Sequence, residues 1–281
     1  MSTIVNCEWL HERLNDDPEN MVVVDVRFYL NDAEAGRKAY LKDHIPNAVY
    51  LDLEKDLSDK PQKHGGKHPL PDMETFVAKL GNIGINNDTD VVIYDQSNDM
   101  FAARLWWLLD YVGHEKIFLL DGGYDEWVNQ GYEVSDEIPT LTSSKKFIPD
   151  FQKYTVADIE EVKEKMETGA ATLIDSRARA RYLGKTEPLY IKAGHIPGAK
   201  NFFWKDVLDD RGKWKSPAEL EDNFSALSKD DEIIVSCGSG VSACPNILAL
   251  RTAGYKNVKL YPGSFSDWIS YPENKVTKGE E

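Results

Sequence analysis

The sequence contains few cysteines and little positive charge, and both shortages narrow the classes of protein to which it can belong. Its 281 residues include three cysteines, Cys7, Cys237 and Cys244, and this low, odd number does not build a disulfide framework. Free thiols are typical of a reducing cytoplasm, where we therefore expect the protein to act. The net charge of −15 argues against nucleic acid or an anionic membrane surface as a partner.

Long apolar runs and clustered metal ligands are also missing. No stretch approaches the roughly 20 consecutive apolar residues that a membrane helix needs. The N-terminal sequence MSTIVNCEWLHER lacks the basic region and apolar block of a secretory signal. The six histidines and three cysteines show no Cys-x-x-Cys or His-x-x-x-His spacing. We therefore expect no membrane span, no metal and no cofactor.

The chain contains the same skeleton twice. MVVVDVR at 21–27 and DHIPNAVYLDLEKDL at 43–57 recur as ATLIDSR at 171–177 and GHIPGAKNFFWKDVL at 194–208. Further on, DVVIYDQS at 90–97 recurs as EIIVSCGS at 232–239, and VGHEKIFLLDGGYDEW at 112–127 recurs as AGYKNVKLYPGSFSDW at 253–268. Four matches in the same order predict a duplicated domain.

Each half alternates short apolar runs with helical patterns. Runs such as VVVDV, VVIYD and EIIVSC are continuous in apolar character, which is typical of buried parallel strands. Between them lie helical stretches such as METFVAKLGNIG, and several of these end in glycine. The pattern predicts an α/β protein of two tandem domains, each a mainly parallel sheet flanked by helices. We place the N-terminal domain at 1–137, a linker at 138–153 and the C-terminal domain at 154–281.

The segment EIIVSCGSGVSA indicates a strand that ends at Cys237, a tight turn over residues 238–242 and a helix that begins near Ala243. Ligands of open α/β sheets bind at such strand ends. The two glycines of the turn allow successive backbone amides to point inward, and amides at a helix N-terminus favour negative charge. We therefore expect the turn to favour the thiolate form of Cys237, which is a strong nucleophile.

The segments CGSGVSAC, HIPGA and DGGYDEW resemble the tandem rhodanese family, and the resemblance covers nearly the whole chain. It implies two rhodanese-like domains with the catalytic cysteine in the C-terminal one. Cys237 fills that position here, whereas Asp95 stands at the equivalent position of the first half, which we expect to be catalytically silent. The resemblance implies a sulfurtransferase that carries sulfur as a persulfide on Cys237, with a small-molecule donor and an acceptor such as a thiol, thioredoxin or cyanide.

Within this family the loop after the cysteine differs between donors. Members that prefer thiosulfate carry Arg-Lys-Gly, because basic residues suit the doubly charged ion, and members that prefer 3-mercaptopyruvate carry Gly-Ser-Gly. This chain has Gly238, Ser239 and Gly240, followed by Val241 and by Ser242 where threonine is usual. The resemblance thus implies 3-mercaptopyruvate as donor and these loop residues as part of its binding site, with thiosulfate as the alternative.

One arginine matches the residue that binds the anionic end of the substrate. It is Arg181, in RARARYLG, and the planar guanidinium suits a carboxylate. The family members that prefer 3-mercaptopyruvate have a second arginine about nine residues later, where this chain has Tyr190. Lys185 and Lys192 are the nearby cations that can replace it, although lysine provides no fork.

The first half is expected to supply an acid/base pair. His68, in KHPLP, matches a family histidine of the active site, and Glu54, in LDLEKD, matches its acidic partner. Ser239, His68 and Glu54 would form a proton relay in which the carboxylate fixes the histidine tautomer. Asp52 is the rival carboxylate, and His64 is a weaker histidine candidate.

Other residues with reactive side chains are interpreted as structural. His44 and His195 occupy equivalent repeat positions although only one half has the cysteine, which indicates a role in the fold. We expect Arg177 to form an ion pair with the aspartate two positions before it, Cys244 to lie in the core and Cys7 to have no chemical role.

Two proteins of other classes are weighed against the sulfurtransferase. A cysteine phosphatase needs an arginine six residues after its cysteine, and that position is Ala243. A non-catalytic sulfur-binding or scaffold protein remains as the second alternative, because the first half shows that this fold can lose its cysteine.

Overall fold

Parallel strands form the centre of both halves of the computed structural model, which describes residues 3–16, 20–140 and 144–280. The chain divides into two units. The first contains residues up to Asp59, Leu70–Gln152 and Asp210–Trp214, and the second contains Lys60–Pro69, Lys153–Asp209 and the residues from Lys215 onward. Two short segments, Lys60–Pro69 and Asp210–Trp214, therefore pack with a different unit from their neighbours in sequence.

The first unit contains a sheet of five parallel strands in the order β1-β5-β4-β2-β3. The strands are β1 Ile4–Val5, β2 Met21–Asp25, β3 Val49–Tyr50, β4 Asp90–Tyr94 and β5 Ile117–Leu120. The helices are α1 Cys7–Asp16, α2 Ala35–Lys42, α3 Met73–Asn82, α4 Met100–Tyr111 and α5 Gly123–Asn129. Residues 144–152, in the predicted linker, return to this unit, where the Lys145 amide donates to the Gly81 carbonyl at 2.9 Å.

The second unit repeats this arrangement with four parallel strands in the order β7-β6-β8-β9. The strands are β6 Thr172–Asp175, β7 Lys200–Asn201, β8 Ile233–Ser236 and β9 Val258–Leu260. The helices are α6 Ile159–Thr168, α7 Arg179–Tyr182, α8 Pro217–Asn223, α9 Cys244–Thr252 and α10 Ser264–Trp268, with 3₁₀ turns at Lys153–Thr155 and Trp204–Val207. Val156 makes a parallel bridge to Leu260 at the edge that β1 occupies in the first unit. The predicted α/β fold with two parallel sheets is confirmed.

Continuous apolar runs became the central strands because both faces of each sheet are covered. Val91, Val92 and Ile93 of β4 are fully buried, as are Ile233 and Ile234 of β8. Each such side chain contributes about 1.5–3 kcal/mol on burial, so a strand with neighbours on both faces selects apolar residues without alternation.

Each unit has a buried aspartate–arginine pair at the end of an inner strand, β2 in the first unit and β6 in the second. The Arg27 side chain binds Asp25 at 2.8 Å and lies 4.0 Å from the centre of the Tyr124 ring. Arg177 binds Asp175 at 2.6 Å and lies 4.0 Å from the centre of the Phe265 ring. The predicted ion pair of Arg177 is confirmed, and its repetition in the unit that has Asp95 in place of the loop cysteine shows that it belongs to the fold.

The two repeated histidines also serve the fold. The His44 Nδ1 lies 2.7 Å from the Tyr40 carbonyl, and the His195 Nδ1 lies 2.8 Å from the Tyr182 carbonyl. Both histidines are fully buried, and each forms an antiparallel backbone bridge within its unit. This equivalence supports the structural interpretation of both.

Candidate active site

Cys237 follows the last residue of β8 and begins the turn that leads into α9. Gly240 has φ of +76°, in the left-handed region that favours glycine, and its N–H donates to the Cys237 Sγ at 3.1 Å. This contact provides one of the inward amides that the glycine pattern predicts. Cys237 is 1% exposed, whereas its loop neighbours Ser239 and Ser242 are half-buried and Val241 is buried.

Ser264, the first residue of α10, contacts both the backbone and the sulfur of Cys237. Its hydroxyl accepts the Cys237 N–H at 3.0 Å, donates to the Tyr261 carbonyl at 2.8 Å and lies 3.9 Å from the Cys237 Sγ. The Phe265 amide donates to the Cys237 carbonyl at 3.0 Å. The start of α10 therefore holds both sides of the Cys237 peptide and restricts where the sulfur can lie.

Sequence reasoning did not identify Ser264, although the repeat contains a signal for it. Ser264 has φ of +52°, and Gly123, its equivalent in DGGYDEW, has φ of +59°. A position that needs a left-handed backbone usually carries glycine. A serine at such a position indicates that its hydroxyl has a use that offsets the strain.

The segment Lys60–Pro69 makes polar contacts with α10 and the residues that follow it in the second unit. The His64 Nδ1 lies 2.7 Å from the Ser270 Oγ, and the Gly65 amide donates to the Asp267 carboxylate at 2.7 Å. His64 also stacks on Tyr271 with ring centres 4.1 Å apart. These contacts use His64, the weaker histidine candidate, to anchor the segment.

The anchored segment brings His68 to the cysteine loop. The His68 Nδ1 lies 2.8 Å from the Ser239 Oγ, which is the contact that the proposed relay requires. Glu54 is exposed, and the buried carboxylate of Asp52 accepts the Glu54 amide at 2.9 Å. Glu54 and Asp52 belong to the first unit, so the third member of the relay stays a prediction.

Arg181 lies at the same end of the second sheet, but a carboxylate of the chain already holds part of its fork. Its Nη2 and Nε bind Glu187 at 2.8 and 3.2 Å, and the Glu187 side chain is 2% exposed. Arg177 binds the same carboxylate at 3.3 Å. Among the residues that the structure describes, Nη1 of Arg181 has no hydrogen-bond partner. Nη1 and the second N–H of Nη2 together form the end of the guanidinium, and this end can bind a substrate carboxylate.

The positive charge of Arg177 interacts electrostatically with Cys237. Burial alone would lower the pKa of Arg177, but Asp175, with smaller contributions from Glu187 and Cys237, raises it above its usual value. Arg177 therefore remains a cation inside the unit. The interaction is mutual, so a thiolate or persulfide anion on Cys237 gains from this nearby positive charge.

Tyr190 occupies the position at which family resemblance led us to expect a second arginine. A Cβ atom added to Gly238 would lie 2.7 Å from the Tyr190 Oη, so this hydroxyl lies against the cysteine loop. The Lys67 Nζ lies 4.9 Å and the Arg181 Cζ 5.4 Å from the centre of its ring. Sequence reasoning noted Tyr190 only as a departure, and it did not single out Lys67. Lys185 is exposed and Lys192 is half-buried, and the replacement of the arginine by either of them stays a prediction.

The corresponding loop of the first unit has a carboxylate where the second has sulfur. Asp95 follows β4 directly, and its two oxygens accept the amides of Asp99 and Ala102, both at 2.9 Å. Burial, and then the charge of Asp99, raises the pKa of Asp95 to about 7. Asn98, the equivalent of Gly240, has φ of +58°, so the turn keeps its shape without a thiol.

The other two cysteines have no part in the predicted chemistry, although the Cys244 Sγ donates to the Gly240 carbonyl of the loop at 3.4 Å. Cys7 and Cys244 are both fully buried, and Cys244 lies in the core as predicted. Burial raises the pKa of Cys7 to about 11, which keeps it a thiol. No cluster of three potential metal ligands occurs within residues 3–16, 20–140 and 144–280. Over the same ranges, every helix is too short or too polar to cross a bilayer.

Fold and site together define a two-unit α/β protein whose second unit presents one cysteine at the end of a parallel strand. The family described as rhodanese-like domain matches residues 6–130 and 158–271, one copy in each half. The chain belongs to this family.

Similar proteins of known name cover nearly the whole chain. A probable 3-mercaptopyruvate sulfurtransferase of Pseudomonas aeruginosa is 37% identical over 99% of this chain and 98% of its own length. The thiosulfate sulfurtransferase of Bos taurus is 33% identical over 99% and 96%. Among solved structures, the 3-mercaptopyruvate sulfotransferase SseA of Escherichia coli is 35% identical, with a TM-score of 0.82 over 95% of this chain and 100% of that one.

Proposed function

We propose that this chain is a sulfurtransferase that takes a sulfur atom from 3-mercaptopyruvate onto Cys237 and passes it to an acceptor thiol. The observation that carries this proposal is the Cys237 sulfur, which lies at the end of a parallel strand and accepts the Gly240 amide at 3.1 Å. Sulfur transfer is the activity in the names of the relatives above, and two of these names contain 3-mercaptopyruvate.

The first half-reaction forms a persulfide. The Cys237 thiolate attacks the sulfur of 3-mercaptopyruvate, an S–S bond forms and the C–S bond of the donor breaks. The electron pair of that bond leaves with the carbon as the enolate of pyruvate, which takes one proton to become pyruvate. Cys237 then carries an outer S–H, and the Gly240 amide and the positive charge of Arg177 stabilise the sulfur anions on either side of this step.

Ser239 and His68 are the residues that we propose to supply the proton. The His68 Nδ1 lies 2.8 Å from the Ser239 Oγ, within the range for proton transfer by a general acid. The second half-reaction returns the enzyme to its starting state, because an acceptor thiolate attacks the outer sulfur and the Cys237 thiolate leaves. A two-step transfer of this kind predicts ping-pong kinetics.

Arg181 is the proposed anchor for the donor carboxylate, and the absence of basic residues in the loop favours 3-mercaptopyruvate. The loop carries Gly238, Ser239 and Gly240, so a doubly charged thiosulfate ion meets no cation from the loop itself. Thiosulfate remains the second candidate donor, because the bovine relative is a thiosulfate sulfurtransferase. Three free cysteines suit a reducing cytoplasm, in which a small thiol or reduced thioredoxin would act as acceptor.

Mass spectrometry of the intact protein tests the proposal directly. Incubation with 3-mercaptopyruvate should add the mass of one sulfur atom, and addition of a thiol should remove it. Cys237→Ser should abolish both the mass gain and turnover, whereas Cys7→Ser, which removes a buried cysteine of the other unit, should retain them. Turnover by Cys237→Ser would refute the persulfide mechanism, and a mass gain with thiosulfate alone would assign the protein to that donor instead. A chain that gains no sulfur from either donor would be the non-catalytic protein of the same fold.

A further inference from the structure

Glu187 is a buried carboxylate that binds two arginines at the cysteine end of the second sheet. Its side chain is 2% exposed. Arg181 donates to it from Nη2 at 2.8 Å and from Nε at 3.2 Å, and Arg177 donates from Nη1 at 3.3 Å. The Leu189 amide donates to the same carboxylate at 3.1 Å. These four hydrogen bonds fix the carboxylate, and the steps of sulfur transfer proposed above do not require it.

The pair of Arg181 and Glu187 lies beside the cysteine loop. The Arg181 Cζ is 5.4 Å from the centre of the Tyr190 ring, and the hydroxyl of this ring lies against Gly238, the residue after Cys237. A donor whose sulfur reaches Cys237 and whose anionic end reaches Arg181 therefore binds the same guanidinium as Glu187. The two negative groups then repel each other across that guanidinium.

The carboxylate of Glu187 balances the charge of this group of residues. Arg177 pairs with Asp175 at 2.6 Å and Arg181 pairs with Glu187 at 2.8 Å, so two carboxylates match two cations. The site therefore holds no excess positive charge for a dianion. Such a donor would also bring its second negative charge close to the Cys237 thiolate, and the loop carries no basic side chain to offset it.

We propose that Glu187 is a specificity-determining residue that makes the site select a singly charged sulfur donor over a doubly charged one. This inference rests on the proposed function, in which the donor binds Arg181 and its sulfur reaches Cys237. 3-Mercaptopyruvate carries one negative charge on its carboxylate, whereas thiosulfate carries two. The repulsion from Glu187 acts on one charge of the first donor and on both charges of the second, so it disfavours thiosulfate more strongly.

Glu187→Gln tests this role, because glutamine keeps the shape of the side chain and an acceptor oxygen but removes the charge. The readout is kcat/KM for each donor with cyanide as acceptor, which in a ping-pong reaction reports on the donor half-reaction alone. The ratio of kcat/KM for thiosulfate to that for 3-mercaptopyruvate should rise about 5- to 100-fold, as expected when one charge is removed from a partly buried site.

Two control variants separate charge from structure. Glu187→Asp keeps the charge and should leave the donor ratio within about threefold of wild type, even where its absolute rates fall. Glu280→Gln removes the carboxylate that pairs with Arg179 at the surface. Both side chains of that pair are more than half exposed, so water screens their charges and the donor ratio should not change.

The wild-type protein provides a further test that does not depend on the folding of a variant. Pyruvate, with one negative charge, and oxalate, with two, are similar in size and should slow the alkylation of Cys237 by iodoacetamide when they occupy the site. Pyruvate should protect at a concentration about fivefold or more below that of oxalate. Equal protection by the two anions, or better protection by oxalate, would contradict the inference.

The kinetic results that would overturn the inference are equally specific. They are a donor ratio in Glu187→Gln that stays at the wild-type value or falls, and a shift of the same size in Glu187→Asp or Glu280→Gln. Failure of the proposed function looks different, since the wild-type protein would then form no persulfide from 3-mercaptopyruvate at all.

Discussion

Replacing Gly240 with alanine should separate the contribution of the turn to folding from its contribution to sulfur chemistry. Gly240 has φ of +76°, and a Cβ atom at this position would lie 2.3 Å from the Pro262 carbonyl oxygen. A left-handed conformation costs a residue with a Cβ about 1–2 kcal/mol. Overpacking against a backbone atom adds about 1–3 kcal/mol, so we expect the free energy of unfolding to fall by about 2–5 kcal/mol.

The same substitution should weaken the sulfur site. The overlap displaces residue 240, and the displacement breaks the 3.1 Å contact between its N–H and the Cys237 Sγ. A hydrogen bond to a charged group contributes about 1.5–3 kcal/mol, which corresponds to a persulfide-forming rate about 10- to 150-fold lower. Urea unfolding measures the first effect, and single-turnover mass spectrometry at a temperature where the variant is folded measures the second.

Gly169→Ala is the matched control, because Gly169 has φ of +69° at the end of α6 with nothing within 4 Å of an added Cβ. It should show the conformational cost of about 1–2 kcal/mol and a wild-type transfer rate. The reasoning is refuted if Gly240→Ala is as stable as Gly169→Ala, or if it is folded and forms the persulfide at the wild-type rate.

Two further substitutions test the charges around each loop. Arg181→Lys should raise the KM for 3-mercaptopyruvate about tenfold or more with a smaller effect on kcat, since a lysine lacks the planar fork that binds Glu187 along one edge and leaves another edge for a substrate carboxylate. Arg179→Lys, at the exposed pair with Glu280, should leave steady-state kinetics unchanged. The buried Asp95 keeps its proton up to about pH 7 in the folded state and only to about 4 in the unfolded chain, so its contribution to stability is fully present below pH 4 and is lost as the pH rises to 7. The whole loss is on the order of 4 kcal/mol, of which about 3 kcal/mol falls between pH 5 and pH 7. Urea titrations at pH 5 and 8 should therefore show a drop about 3 kcal/mol larger for the wild type than for Asp95→Asn, and equal drops would contradict it.

Features that depend on local pattern were predictable from the sequence. The continuous apolar runs became strands, and the turn between Cys237 and α9 has the left-handed glycine that its composition indicates. The repeat itself separated fold from chemistry: His44 and His195 make the same carbonyl contacts in both units. A duplicated sequence provides an internal comparison in which shared residues indicate structure and unmatched ones, such as Cys237, indicate function.

Features that depend on side chains from distant segments were not predictable in detail. The contact between His68 and Ser239 was inferred from family resemblance, but the anchoring of its segment by His64 was not. The sequence spacing of Arg181 and Glu187 does not show that the two side chains form an ion pair with each other, as they do in the structure. Tyr190 illustrates the same limit, because the sequence shows only a missing arginine, whereas the structure shows the Tyr190 hydroxyl against Gly238 of the cysteine loop.

The two loops differ in the one side chain on which the proposed sulfur transfer depends. Asn98 and Gly240 adopt similar left-handed conformations. The Tyr124 amide of α5 donates to the Asp95 carbonyl at 2.9 Å, and the Phe265 amide of α10 donates to the Cys237 carbonyl at 3.0 Å. The backbone of the turn therefore belongs to the fold, and both units have it. The carboxylate of Asp95 accepts two amides but has no sulfur with which to form a persulfide bond. The Cys237 sulfur accepts an amide in the same kind of turn and is an atom that can form such a bond, so the proposed difference in chemistry comes from one side chain placed on a shared backbone.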